Sequence, residues 1–306
     1  MAVIRCPDGV IRDYAEYEEY VKPVWKEQMH REHATEKHNE INNDKMKHII
    51  IGSGVIGKAT GELLEAHHES VAYYDIDEHV LQGLRKKKKK IASVLSGCDL
   101  YWVCTAEWHV EDAVSSIEED EACVIVRSTI QPTVLQCLSE KFPSFSFAHV
   151  PEFIREKSAL QDVFQSDRLV IGTSDKKMQG LLSSLFRSFF IPQVFCSPDE
   201  SALIKLVSNA WLSMQISFWN EIKELCDSFV SVDPQLVSNA VVLDHRISSY
   251  GSCMIGKPFG GFCFPKDTKA LLSVFKDLGL DGEMICAVRH VNELLKEQDE
   301  EVEVVV

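Results

Sequence analysis

The segment Lys47-His48-Ile49-Ile50-Ile51-Gly52-Ser53-Gly54-Val55-Ile56-Gly57 constrains this chain more than any other. Its apolar run reads as a short buried strand, its three glycines have the spacing G-x-G-x-x-G, and Val55 to about Ala66 carries a helical pattern. A second strand, Ser70 to Asp75, follows directly and ends in a carboxylate 23 residues after Gly52. Glycine patterns alone are weak, because glycine is common in turns. Between a strand and a helix, however, each has a task. Gly52 allows the tight turn, Gly54 lets the backbone approach a pyrophosphate, and Gly57 lets helix and strand pack closely. Val55 and Ile56 stand at the helix N-terminus, whose free N–H groups attract an anion. Asp75 would accept the ribose hydroxyls and repel a 2′-phosphate, so the expected cofactor is NAD rather than NADP. A ligand-free turn is the bland alternative, and the complete strand–helix–strand context speaks against it.

Apolar runs at Leu100 to Cys104, Ala122 to Arg127, Phe145 to His149 and Leu169 to Gly172 alternate with helix-like stretches. That alternation predicts an α/β fold, a Rossmann-type doubly wound parallel sheet covered by helices, over residues 47–196. From Pro198 the strand signals stop, and Glu200 to Phe229 reads as one long, largely apolar helix that opens an all-helical domain over residues 197–296. Shorter helices are expected at Asp233 to Leu243, Asp267 to Leu278 and Gly282 to Glu297. Residues 1–46, crowded with charge, His and Tyr, read as a partly helical extension, and the acidic tail 297–306 as loose. The run Lys86 to Lys90 is read as a solvated loop or helix end.

Charge and cysteine content narrow the function classes. Forty-seven acidic against 32 basic residues leave a net charge of −15, which makes nucleic acid and anionic membranes poor partners. There is no 18-residue apolar run and no secretory start. The ten cysteines contain no C-x-x-C pair, which argues against a metal site and disulfides and makes the reducing cytoplasm the expected compartment.

Two further features point to chemistry. Along the long helix Ser201, Lys205, Asn209, Ser213 and Ser217 recur every four residues. This polar seam either faces solvent or lines a cleft. Later, Lys257-Pro258-Phe259-Gly260-Gly261-Phe262-Cys263-Phe264-Pro265-Lys266-Asp267 delivers a cysteine just before a helix beginning near Asp267. A thiol near a helix N-terminus and Lys266 has two influences favouring the thiolate, so Cys263 is a candidate nucleophile rather than a packing residue. NAD and a nucleophilic cysteine together suit one reaction: an aldehyde captured as a thiohemiacetal loses hydride, becomes a thioester and is hydrolysed to an acid.

From about Ile49 to about Leu278 the sequence resembles the UDP-glucose/GDP-mannose dehydrogenase family. The resemblance is carried, in order, by Gly52 to Gly57, Arg127-Ser128-Thr129, Val150 to Glu156 with Ser158-Ala159-Leu160, and Asp167 to Gly172. It continues through Lys205 with Asn209, Ile216-Ser217-Phe218 with Asn220-Glu221, Asp244 to Ile247, and Phe259 to Asp267. It implies oxidation of the C6 alcohol of a nucleotide sugar such as UDP-glucose to a carboxylate, with two hydrides passed to two NAD molecules. Position by position, Cys263 resembles the nucleophile, Lys205 the oxyanion-stabilising ammonium and Asn209 its hydrogen-bonding neighbour. Asp267 and Glu152 resemble the carboxylates that handle water and protons, with Thr129 a polar contributor. Thr105 and Lys266 join the implied cofactor contacts. Phe153, Ile154, Arg155 and Glu156 resemble the segment that cradles the sugar, and Phe259, Gly260 and Gly261 the loop that closes on it. Arg246 matches a position that reaches a neighbouring subunit's site, which implies a homodimer built on the long helix.

The sequence also departs from that pattern. No further Gly-rich α/β pattern follows the helical domain, where the family has a nucleotide-binding domain, so a partner subunit supplying it is conceivable. The stretch from Asp75 to Leu100 is short, Ala106 follows Thr105 where proline is common, and Lys157 replaces a usual glycine. The alternative reading is therefore a catalytically silent or partner-dependent NAD-binding relative. A third is the same chemistry on a smaller alcohol.

Overall fold

In the computed structural model the described residues are 3–5, 11–12, 45–189 and 191–305. They form two compact units, Met1–Ala202 and Leu203–Val306. The expected helical character of residues 1–46 falls mostly outside the described residues. The parts described there are two short strands, at 3–5 and 11–12, and residues 45–46, which are irregular.

The first unit is built on one nine-stranded sheet. Its strands are β1 (Val3–Arg5), β2 (Ile11–Arg12), β3 (Lys47–Ile51), β4 (Ser70–Tyr74), β5 (Leu100–Val103), β6 (Cys123–Val126), β7 (Ser146–His149), β8 (Leu169–Gly172) and β9 (Gln193–Cys196), in the order β2-β1-β9-β8-β7-β6-β5-β3-β4. Strands β4, β3, β5, β6 and β7 are mutually parallel, while β8 runs antiparallel to β7 and β1 antiparallel to β9. Six helices accompany the strands: α1 (Val55–Ala66), α2 (Glu78–Lys86), α3 (Val110–Ser115), α4 (Val134–Lys141), α5 (Ala159–Phe164) and α6 (Lys176–Leu185).

Alternate residues of one strand enter different cores. Ile50, Trp102 and Ile125 pack in one, while Ile49, Ile51, Tyr101, Val103, Val124 and Val126 pack in the other. Both faces of the sheet are thus covered, which is why its strands read as unbroken apolar runs rather than alternating ones. The lysine run ends α2 and turns: Lys88 has φ +57°, Lys89 pairs with Glu65, and the Lys90 carbonyl accepts from Tyr73 N–H.

The second unit is helical. It contains most of α7 (Pro198–Asp227), then α8 (Pro234–Val241), α9 (Cys263–Asp277) and α10 (Glu283–Val305). The start of α7 is written locally. Ser197 Oγ accepts from Glu200 N at 3.2 Å, Glu200 Oε2 accepts from Ser197 N at 2.7 Å, and Pro198 takes the first helical position. No glycine or second proline interrupts the next 29 residues. Leu206 and Ala210 of α7 pack on Ala270 and Leu271 of α9.

Three expectations are corrected. The acidic stretch from Glu297 continues α10 to Val305 instead of lying loose. Helix α9 begins at Cys263 itself, four residues before Asp267. And α7, whose largely apolar sequence predicts burial on most sides, buries one face only. Its polar seam is the buried face, with Ser201, Lys205, Asn209, Ser213 and Ser217 all at most 7% exposed, whereas Leu203, Val207, Trp211 and Phe218 are 36% to 56% exposed. Ala202, Leu206, Ala210, Ile216 and Trp219 share that buried face, and a second apolar stripe is left facing outward.

Candidate active site

The candidate cofactor and catalytic residues of the first unit follow the ends of the parallel strands. Gly52, Asp75, Thr105, Thr129 and Glu152 follow β3, β4, β5, β6 and β7 respectively, and β3 lies between β4 and β5. The crevice of a doubly wound sheet opens at that switch point. The glycines take the roles their spacing suggests. Gly52 has φ +86°, and a Cβ there would lie 2.9 Å from the Cys104 carbonyl, so only glycine fits beside the loop after β5. A Cβ on Gly57 would stand 2.0 Å from the Gly52 carbonyl oxygen, whereas one on Gly54 would meet nothing within 4 Å.

Helix α1 starts after Gly54 with no side-chain cap and no acidic residue in its first turn. Its leading N–H groups, those of Val55 and Ile56 among them, are therefore left to an outside acceptor. Asp75 accepts from Ser53 N at 2.6 Å through one oxygen and from Asp77 N at 2.9 Å through the other. A carboxylate with roughly four lone-pair sites then keeps two for ribose hydroxyls. An open space over Gly54, an uncapped helix end and an oriented carboxylate fit NAD.

Near this crevice Glu152 is buried, and its Oε2 accepts from Ile154 N at 2.8 Å. Thr129 and Thr105 are half-buried, and the Thr105 carbonyl accepts from Ser128 Oγ at 2.7 Å, tying the ends of β5 and β6 together. Phe153 carries the Arg168 guanidinium 4.2 Å from its ring centroid. Arg155 forks onto Asp162, at 2.9 Å from Nε and 2.6 Å from Nη2, and this holds the Asp162 carboxyl down to about 2. That fork makes Arg155 a local brace, with Ile154 half-buried and Glu156 exposed beside it. Arg127 was not singled out from sequence as a site residue. It is buried with Nε lacking a hydrogen bond, and its burial lowers its basicity against the nearby Glu152 charge. Burial also pushes the Cys104 thiol up to about 12, which makes Cys104 an unreactive neighbour.

The second unit gathers the thiol and its companions. Cys263 is half-buried and is the first residue of α9, where the helix end favours a negative sulfur. One turn on, Asp267 is fully buried and pairs on both oxygens, with Asn209 Nδ2 at 2.5 Å and with Lys266 Nζ. Lys266 is thereby engaged with Asp267 and lies over the Phe262 ring. Asn209 stands one turn from Lys205 along the buried seam of α7, so the helical repeat that spaces them also presents both from one face. Cys263, Asp267, Asn209 and Lys205 come from two packed helices. Arg246 lies elsewhere: it is exposed, chelated by Asp244 at 3.0 and 2.5 Å, and lines an apolar cavity of about 510 Å³ with Trp211, Phe218 and Met284. Among the described residues no group of His, Cys, Asp or Glu could hold a metal ion, and no helix is long and apolar enough to cross a membrane.

Family models match in both units: the NAD binding domain of the UDP-glucose/GDP-mannose dehydrogenase family over residues 93–190, and the central domain of the same family over 199–294. The chain belongs to the UDP-glucose/GDP-mannose dehydrogenase family. It is 31% identical to the UDP-glucose 6-dehydrogenase YwqF of Bacillus subtilis (strain 168) over 292 residues, covering 81% of this chain and 66% of that protein. It is 30% identical to TuaD, another UDP-glucose 6-dehydrogenase of the same strain, covering 81% of this chain and 63% of that one. The structure of a UDP-glucose dehydrogenase from Pyrobaculum islandicum superposes with a TM-score of 0.75 at 27% identity, covering 84% of this chain and 70% of that one. The chain thus spans just under two thirds of the length of the two Bacillus relatives.

Membership gives the crevice of the first unit its cofactor, NAD. The dehydrogenase fold also contains two residues that sequence reasoning did not assign a role. Asn220 of α7 and Asn292 of α10, both buried, hydrogen-bond the backbone of the loop before Cys263. A buried asparagine in an apolar helix is the signal that could have found them, since such a group must have partners.

Proposed function

We propose that this protein oxidises the C6 alcohol of a nucleotide sugar of the UDP-glucose type to the carboxylate in two NAD-dependent steps, through a thiohemiacetal and a thioester on Cys263. The supporting observation is the grouping of Cys263 at the head of α9 with buried Asp267, hydrogen-bonded to Asn209 one turn from Lys205. Bound NAD supplies the hydride acceptor in each oxidation. In the first step the C6 alcohol loses a proton to a neighbouring base and a hydride, leaving an aldehyde. The Cys263 thiolate then adds to the aldehyde carbon, and the new oxyanion is stabilised by the Lys205 ammonium and the Asn209 amide. Loss of the second hydride gives the thioester. Water, with Asp267 or Glu152 accepting its proton, releases the acid and regenerates the thiolate. By the resemblance Thr129 contributes a hydroxyl, and the backbone of Phe153, Ile154, Arg155 and Glu156 with Gly260 and Gly261 holds the sugar, while the Arg155 side chain braces its loop and Phe259 is buried behind the glycines.

The outward apolar stripe of α7 supports a homodimer. Leu203, Val207, Trp211 and Phe218 rise at helical spacing, with apolar cavities of about 510 and 360 Å³ beside them. A patch of that kind on an isolated chain calls for a cover, and a second copy of the same stripe is self-complementary about a two-fold axis.

The test is NADH formation by the purified protein with a panel of UDP- and GDP-sugars. Two NADH per sugar are expected from the parent, and one from Cys263→Ser. A Cys263→Ser protein that completes both oxidations at the parental rate would sink the thioester. An absence of turnover on every sugar, with NAD still bound, would favour the silent or partner-dependent reading.

A further inference from the structure

Between Met254 and Cys263 the chain forms neither helix nor strand, yet its backbone is held by side chains at two places. Asn220 Oδ1 accepts from Gly256 N at 2.7 Å while its Nδ2 donates to the Lys257 carbonyl at 2.9 Å. Two residues further, Asn292 Oδ1 accepts from Phe259 N at 2.7 Å and its Nδ2 donates to the Phe259 carbonyl at 3.0 Å. Each amide therefore replaces the missing strand partner of one loop segment. Phe259 is fixed a third way: its ring is buried among Ile216, Val288, Met254 and Phe264.

Beyond Phe259 the character of the loop changes. A Cβ on Gly260 or Gly261 would meet nothing within 4 Å, Gly261 has φ +70°, and Phe262 is 60% exposed. On the other side of the thiol, α9 is held again, with Arg289 Nη1 donating to the Pro265 carbonyl at 2.9 Å and to Thr268 Oγ1 at 3.0 Å.

We infer that Asn292, seconded by Asn220, is the positioning residue of Cys263: it fixes Phe259 so that the Gly260-Gly261 pair is the joint between a rigid loop and the helix that carries the thiol. Asn292 bonds the backbone and acts on the reaction through that loop. The inference rests on Cys263 being the nucleophile. Motion of the loop is confined to two glycines, which can admit a substrate and then return the thiol to one place. Loss of the Asn292 clamp releases the Phe259 backbone, and a misplacement of the thiol on the order of 1 Å costs about a hundredfold in rate.

The experiment compares the full chain with Asn292→Leu, which keeps the side-chain size and removes both bonds, and with Asn292→Asp, which keeps only the acceptor for Phe259 N–H. Three readouts are taken: hydrogen exchange of the 256–262 segment, the rate of Cys263 carbamidomethylation by iodoacetamide with the remaining cysteines as internal controls, and kcat, KM and NAD affinity. In Asn292→Leu, faster exchange confined to the loop is expected, with a change of about fivefold or more in the Cys263 alkylation rate. A fall of about a hundredfold in kcat should accompany these, while KM and NAD affinity stay within about threefold. Asn292→Asp should fall between the two, and it carries the test if the Leu chain fails to fold. Faster loop exchange with parental alkylation and parental kcat would overturn the inference and leave the clamp a purely structural bond. If the parent turns over no sugar, the proposed function fails, while exchange and alkylation still decide the clamp.

Discussion

Two glycines of the fingerprint, three residues apart, should respond to the same methyl group in opposite ways. At Gly57 a Cβ would lie 2.0 Å from the Gly52 carbonyl oxygen and 3.0 Å from Ile50 Cγ2, so α1 must move off β3 by about 1 Å. Leu63, Leu64 and Ala59 of that helix are core residues, and the displacement disturbs them as well. Overpacking of this kind costs about 1–3 kcal/mol or more. In a unit of this size each kcal/mol lowers Tm by about 2–4 °C, so Gly57→Ala should melt about 2–12 °C below the parent.

At Gly54 the space is empty and φ is −69°. Alanine is the poorer N-cap by about 1 kcal/mol, but it recovers about 0.4–1 kcal/mol of unfolded-chain entropy. Gly54→Ala should therefore leave the Tm of the ligand-free protein nearly unchanged. Its methyl instead occupies the approach to the uncapped helix end, and NAD affinity should fall about tenfold or more, which is ~1.4 kcal/mol. Differential scanning calorimetry without ligand and isothermal titration with NAD separate the two effects. Equal loss of Tm in both variants, or parental NAD affinity in Gly54→Ala, would refute the assignment of packing to one glycine and ligand approach to the other.

Other outcomes follow from burial. His48 is fully buried, accepts from Trp102 Nε1 at 3.0 Å and faces Glu69 at 3.4 Å with Asp99 nearby, and burial lowers its imidazole to about 4. The unfolded chain binds that proton near pH 6.5, so native stability should fall by up to ~3 kcal/mol as pH drops from about 6.5 to about 4. Glu69, raised by its own burial, works in the opposite direction, so urea unfolding of His48→Asn beside the parent isolates the histidine. Identical pH slopes in the two proteins would remove this account. For the outward face of α7, sedimentation of the parent as a dimer and of Trp211→Glu as a monomer is expected. A monomeric parent at micromolar concentration would mean that something other than a second copy covers Leu203, Val207 and Phe218.

The core of the fold could be read from the sequence because each strand of a doubly covered sheet must be apolar on both faces, and some helix starts carry a local device, as Asp77, Asp175, Asp233 and Ser197 do. The helix expected from Val55 to about Ala66 is found at Val55–Ala66, because the glycine turn and the preceding strand fix its entry. Strand β9 was not read, because Gln193-Val194-Phe195-Cys196 mixes residue types and gains its identity only by pairing with β8 and β1. The direction of α7 was also hidden. A helix carrying both a serine, lysine and asparagine seam and an apolar stripe states that it has two faces, and hydrophobicity alone assigns the apolar one to the interior. Here the polar seam is inside, since Asn209 meets Asp267 and Ser217 donates to the Val288 carbonyl at 2.7 Å, while Ser213 is satisfied within α7 by the Asn209 carbonyl at 2.8 Å.

Spacing explains why some site residues were legible and others were not. Gly52, Gly54, Gly57 and Asp75 sit in one strand–helix–strand unit, and Lys205 with Asn209, or Cys263 with Asp267, sit one helical turn apart, so local geometry alone groups them. Asn220 and Asn292 act across 36 and 33 residues on backbone atoms, and a peptide group has no residue type by which a sequence could announce it as a partner. The same logic separates Arg155 from the other substrate candidates. Its neighbour in sequence is the loop expected to hold the sugar, but its neighbour in space is Asp162, which takes two guanidinium bonds and the backbone N–H as well. A guanidinium so held shapes the loop by bracing it. What the brace fixes is the backbone between Arg155 and Asp162, so this side chain acts on the site through the loop it holds.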